Sequence, residues 1–242
     1  MRHDGTVTGG RGLLEVIALS ALDAERAERG GADRLEVVGT MDDDGLSPDP
    51  SLVAEIAAAT GLPLRVMVRA RAGFGTDGEE LARLRGLAVA YRGAGADGLV
   101  LGFLDATGAV DVDAVTEIVG ATDGPWTFHR AIDACPEPDR AWAVLHGLPR
   151  LDQVLTAGST RGVGDGLTAL LRRAETDEPA RSRILAGGGL RPEHVPVLAQ
   201  SGITAFHIGS AARPDGSFAA PVDAALVRGW RDLINDALAS PG

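Results

Sequence analysis

Residues 22–38 read Leu-Asp-Ala-Glu-Arg-Ala-Glu-Arg-Gly-Gly-Ala-Asp-Arg-Leu-Glu-Val-Val. A helix-like stretch, Leu22–Arg29, stops at glycine, and Gly31-Ala32-Asp33-Arg34 feeds a short apolar run, Arg34–Val38. The same punctuation recurs. Gly95-Ala96-Asp97-Gly98 precedes the run Gly98–Gly102, and Ser201-Gly202-Ile203-Thr204 precedes Ala205–Ile208. Outward from these, further strand-like runs are Leu13–Leu19, Leu64–Arg69, Trp126–His129, Gln153–Thr156 and Ile184–Ala186. Between the runs lie amphipathic stretches: Ser51–Ala59 (Ser51 as its N-cap), Glu79–Arg92, Val112–Val119, Asp139–His146, Gly166–Glu175, Pro192–Gln200 and Ala224–Leu238. Strict strand–helix alternation means parallel strands joined by right-handed crossovers. Eight such units in 242 residues predict an α/β fold, a single closed (β/α)8 TIM barrel with parallel strands over residues 13–238. A doubly wound open sheet is the alternative. Residues 1–12 and the last few are expected to be disordered.

Composition removes several functions. The chain carries 34 acidic residues against 23 basic ones, a net charge of −11, which argues against nucleic-acid binding. No run of about 18 apolar residues exists to span a membrane, and Met1–Gly12 has no apolar stretch resembling a signal peptide. One cysteine, Cys135, excludes an internal disulfide framework and a multi-cysteine zinc site, and fits a reducing, cytoplasmic setting. All the non-histidine basic residues are arginine. Without a lysine there is no Schiff-base aldolase, no pyridoxal-phosphate enzyme and no P-loop.

Charged residues fall where a barrel strand should be apolar. Glu15 and Glu36 sit in mid-strand, Arg65 and Arg69 share one parity on the third strand, and His129 and His207 lie near the ends of the fifth and eighth. Alternation places them inside the barrel, where ions must be paired. Pairing of Glu15 and Glu36 with Arg65 or Arg69 is expected. Sites of barrel enzymes lie at the carboxyl ends of the strands, which makes Glu15, Glu36, Arg69, His129, Arg130, Asp133 and His207 the candidate catalytic set. A structural salt-bridge network is the alternative for Arg65, Glu15 and Glu36. Glycine-rich loops follow strands seven and eight. Gly187, Gly188, Gly189, Gly209 and Ser210 form a candidate anion site there, because glycine lets backbone N–H groups approach an anion. Cys135 reads as an inert thiol, Trp230 as packing, and His146 and His194 as surface residues.

Several phrases together resemble the CutC family of copper homeostasis proteins. They include Leu14-Glu15-Val16, Gly31-Ala32-Asp33-Arg34-Leu35-Glu36, Gly45-Leu46-Ser47-Pro48 and Val68-Arg69-Ala70-Arg71-Ala72-Gly73. Thr127-Phe128-His129-Arg130-Ala131-Ile132-Asp133, Val154-Leu155-Thr156-Ala157-Gly158 and Ala186-Gly187-Gly188-Gly189 complete the match, from about Leu13 to about Ala211. The resemblance implies a TIM barrel, a cytoplasmic location, self-association into a homo-oligomer, and a link to copper tolerance with possible copper binding. Family members proposed to bind Cu(I) carry cysteines where this chain has Ile17, Ala18 and Val38, and Cys135 alone matches a family cysteine. Cu(I) prefers thiolate and thioether ligands, so weak Cu(I) binding is expected and no metal-ligand set is assigned. Cu(II) or Zn(II) would need the rings of His129 and His207 to converge. Two functions stay open: a copper-linked binding protein, and a barrel enzyme acting on a small anionic, phosphorylated metabolite. The carboxylate–His–Arg set suits proton abstraction, isomerisation or lyase chemistry.

Overall fold

Gly31 and Gly95 take left-handed conformations (φ 97° and 109°) that close the preceding helices. The aspartate two residues on explains why the phrase repeats. Asp33 donates its amide to the Leu14 carbonyl and accepts the Leu14 amide on its carboxylate at 2.8 Å. Asp97 does the same to Leu64. Each aspartate thus clamps the start of the preceding strand and satisfies a backbone group that the barrel's end would leave unpaired.

The computed structural model describes residues 11–239. The strands are β1 (Leu13–Ala18), β2 (Arg34–Val37), β3 (Leu64–Met67), β4 (Gly98–Leu101), β5 (Trp126–Phe128), β6 (Leu151–Thr156), β7 (Ile184–Ala186) and β8 (Ala205–Ile208). All neighbours are parallel and β1 pairs with β8, so the sheet is a closed barrel and the open sheet is excluded. The helices are α1 (Ala21–Gly30), α2 (Pro50–Ala59), α3 (Gly78–Ala94), α4 (Val112–Gly120), α5 (Pro138–His146), α6 (Val163–Thr176), α7 (Glu178–Arg183), α8 (His194–Gln200) and α9 (Ala224–Ala239).

Four expectations need correction. Asp49, not Ser51, caps α2, accepting the Ser51 amide on its carboxylate at 2.8 Å. The short helix α7 was not anticipated, although Asp177 caps it and Pro179 sits in its first turn. His194 is buried, its Nδ1 accepting the Arg191 amide, and His146 is half-buried against Asp177. The expected tail of residues 1–12 lies outside the described residues as far as residue 10. Arg11 and Gly12 are in place, Arg11 pairing with Asp33 and Gly12 accepting from Arg231.

The main core lies between barrel and helices, where Tyr91, Trp126, Phe128 and Phe206 are fully buried and Trp230 packs. Inside the barrel, two small apolar clusters (Ile17, Val38, Met67, Val100; and Leu155, Leu185, Ala205) share the space with charges. Three ion pairs, two of them buried, tie the first quarter of the chain to the last: Glu15 with His207 (2.9 Å), Asp23 with Arg213 (2.7 Å) and the part-buried Asp33 with Arg231 (2.5 Å). Among the described residues no helix is long and apolar enough to cross a membrane.

Candidate functional site

The strand register decides which interior charges meet. Glu15 lies opposite Arg34 on β2 and opposite His207 on β8. Its carboxylate accepts from Arg34 Nε at 2.5 Å and contacts His207 Nδ1 at 2.9 Å. Glu36 faces the other side of the same imidazole, its Oε2 3.6 Å from His207 Nε2. The expected partners therefore differ from those found. Arg65, though in register with Glu36, turns to Asp152, and Arg69 donates to the carbonyls of Asp43, Gly45 and Gly73. Arg34, which shares the parity of Glu36, takes the place expected of Arg65 or Arg69 beside Glu15.

Burial works against a charge on Glu15, but the Arg34 guanidinium and the hydrogen bond and charge of His207 overcome it and hold the carboxyl at about 2. Burial, reinforced by the nearby Glu15 charge, pushes Glu36 up to about 7. Burial also penalises the His207 cation, but the two glutamates outweigh it and raise its pKa. Glu36 and His207 therefore titrate as interacting groups beside Glu15, which is ionised at neutral pH.

His129 follows β5 and caps the 3-10 turn Arg130–Ala134. Its Nδ1 accepts the Ala131 amide at 3.2 Å, which fixes the proton on Nε2. Burial, with the charges of Arg69 and Arg130, drives its pKa down to about 3, so the ring is neutral. The ring packs against Phe74 (5.4 Å between centroids). Both Nε2 of His129 and Oε1 of Glu36 are buried without a hydrogen-bond partner.

Asp133 holds the mouth together. It accepts from Thr156 Oγ1 (2.6 Å) and from the Ala157 and Gly158 amides, and pairs with Arg130 Nε at 2.9 Å. Arg130 also donates to the carbonyls of Ser159 and Thr160 and lies against Gly188. The Thr127–Asp133 phrase thus fastens the loops after β5, β6 and β7 to one another.

A cavity of about 420 Å³ opens at the carboxyl ends of the strands. Glu36, Arg69, His129, Arg130, Asp133 and His207 line it, as do Gly188, Gly189, Gly209 and Ser210. Glu15 lies behind His207, outside the lining, and the Gly187 amide is taken by the Thr156 carbonyl. Gly188 and Gly189 both have positive φ (86° and 72°), and a Cβ on Gly188 would meet Arg130 at 2.7 Å. Among the described residues the amides of Gly188, Gly189 and Ser210 enter no backbone hydrogen bond.

Metal ligation is poorly provided for. Both His207 nitrogens face glutamates, and Nδ1 of His129 is taken by the Ala131 amide. No group of three His, Cys, Asp or Glu that could hold a metal occurs among the described residues. Cys135 is buried away from the cavity, and burial with Asp133 and Asp105 pushes its thiol up to about 11. Met41 and Met67 do line the cavity, which the sequence placed on separate elements without bringing them together.

This arrangement defines a (β/α)8 barrel with a cavity lined by charged residues at its carboxyl-terminal mouth. The profile of the CutC family matches residues 13–212, and the chain belongs to that family. A CutC family protein from Klebsiella pneumoniae subsp. pneumoniae is 36% identical over 199 residues, covering 81% of this chain and 78% of the relative. One from Agrobacterium fabrum is 34% identical over 207 residues, covering 84% and 80%. A crystal structure from Streptococcus agalactiae, named for CutC and copper homeostasis, superposes with a TM-score of 0.73 at 25% identity, over 82% of this chain and 98% of that one.

Proposed function

We propose that this chain is a cytoplasmic protein of copper homeostasis that works through a small-molecule site. At the mouth of its barrel it binds a small anionic, phosphorylated metabolite and acts on it by acid–base chemistry. The carrying observation is the convergence on one cavity of the Glu36–His207 pair, Arg69 and the unengaged amides of Gly188, Gly189 and Ser210. Glu36, raised to about 7, supplies an acid–base group near neutral pH, with His207 beside it. Unengaged amides on glycines of positive φ supply donors for an anion. The copper-homeostasis part rests on the family and on the name of the S. agalactiae relative. Met41 and Met67 favour a second reading in which the cavity itself takes Cu(I). Two thioethers without a thiolate make that a weak site.

The test is a thermal melt in inorganic phosphate against a chloride control of matched ionic strength. At ten times its Kd, phosphate adds about 1.4 kcal/mol, or about 4 °C for a chain of this size. Gly188→Ala, which strains the loop and displaces Arg130, removes most of the difference. Equal melting temperatures in the two salts refute the anion site.

A further inference from the structure

Two residues that line the cavity, Glu36 and His129, each carry a buried polar atom without a partner, and the two atoms are of opposite kinds. Glu36 Oε1 is an acceptor on β2, and His129 Nε2–H is a donor after β5. The two residues are 2% and 4% exposed. A buried polar atom left unpaired destabilises the fold, so its persistence points to a ligand that pairs it. Such a ligand presents an acidic hydrogen to Glu36 and a lone pair to His129. A carbon acid next to a carbonyl presents both on adjacent atoms.

We infer that this site catalyses proton transfer at the carbon beside a carbonyl group in a small phosphorylated aldehyde or ketone. Glu36 is the base, and the Nε2–H of His129 is the donor to the carbonyl oxygen. The inference deepens the anionic-metabolite reading above and rests on it. The Glu36 carboxylate takes the proton from the α-carbon. The C–H electron pair becomes the carbon–carbon double bond, and the carbonyl π pair moves onto oxygen, which His129 stabilises by hydrogen bonding. The proton returns from Glu36 to the same carbon, giving exchange with solvent, with no oxidant, reductant or second substrate. The tautomer of His129 suits this role. Its Nδ1 is held by the Ala131 amide, so Nε2 must donate. A neutral imidazole polarises a carbonyl as an electrophile without protonating it. The absence of lysine closes the competing route to carbanion stabilisation through an imine. His207, between Glu15 and Glu36, supports the carboxylate that receives the proton and is a positioning residue.

The experiment uses glycolaldehyde phosphate, dihydroxyacetone phosphate and ribulose 5-phosphate in D2O, with α-proton exchange followed by NMR and binding by calorimetry. The expected result is protein-dependent exchange with at least one probe. Glu36→Gln lowers the rate by 100-fold or more while probe binding persists, which also shows the variant folded. His129→Gln lowers it by about 10- to 100-fold and abolishes the red shift of the bound probe's carbonyl stretch. Binding without exchange in all three probes overturns the proton-transfer inference and leaves the binding site standing. Exchange that survives Glu36→Gln also overturns it. No binding of any probe or of phosphate overturns both this inference and the reading it rests on.

Discussion

Glu15→Gln removes the charge that organises the barrel interior while keeping its shape. A carboxyl whose ordinary value of 4.5 falls to about 2 on folding contributes about 3 kcal/mol at neutral pH. The value is depressed in the fold, so this stability is present above pH 4.5 and is lost as pH falls through about 2. The variant is therefore less stable than wild type by about 3 kcal/mol at pH 7, and by about 2 kcal/mol at about pH 3.5. The structure accounts for the size. Both partners are almost wholly buried, and Arg34 keeps only Asp152, at 4.0 Å, as a carboxylate. Urea unfolding at the two pH values measures it. With a slope of about 3 kcal/mol/M the midpoint drops by about 1 M at pH 7. A loss below about 1 kcal/mol at pH 7, or one that does not shrink on acidification, would refute the pairing scheme.

Glu36 is raised from 4.5 to about 7, and His207 is raised as well. Both raised values make the folded state hold more protons than the unfolded state, so stability falls as pH rises from about 4.5 through about 7, the span set by Glu36, and His207 acts in the same direction. Subtracting the stability curve of Glu36→Gln from that of wild type isolates this slope, and parallel curves would contradict it. Cu(I) binding is expected to be weak: competition under reducing conditions should leave the metal with a nanomolar chelator, in wild type and Cys135→Ser alike. Stoichiometric, Cys135-independent retention at nanomolar affinity would restore a copper-carrier role. Loss of that weak binding in Met67→Leu would place it in the mouth cavity.

How far the sequence speaks depends on whether a contact follows from strand parity or from the stagger between strands. The parity of Glu15, Glu36 and His207 was readable, because one charged residue in an apolar run has nowhere to point except inward. Their partners were not. The barrel's stagger sets Glu15 beside Arg34, and Arg65 reaches Asp152, which lies one residue before the expected start of its strand. Asp133 stood out within its motif, but Thr156 and Gly158, which it grips, lie more than 20 residues further on, and no local pattern announces the contact. His129 was placed at a strand end, whereas its tautomer depends on the turn it caps. Its unpaired Nε2 is a property of the assembled cavity alone. The repeated Gly-Ala-Asp phrase was legible as a terminator. Its second task, clamping the previous strand, needs two adjacent strands to be seen.

The ion pairs that join the first quarter of the chain to the last also bear on the order of assembly during synthesis. Arg34 lies 19 residues beyond Glu15 and is available early, whereas His207 is 192 residues away. Asp23 and Asp33 likewise wait for Arg213 and Arg231, 190 and 198 residues on. A growing chain therefore carries Asp23 without its Arg213, and Glu15 and Asp33 with only the nearby Arg34 and Arg11, beside a β1 edge that only β8 can cover. Until then those carboxylates remain hydrated, which opposes premature burial of that edge and leaves it charged rather than adhesive to other nascent chains. Barrel closure and the last of this charge pairing become one late event, triggered by the arrival of the C-terminal segment.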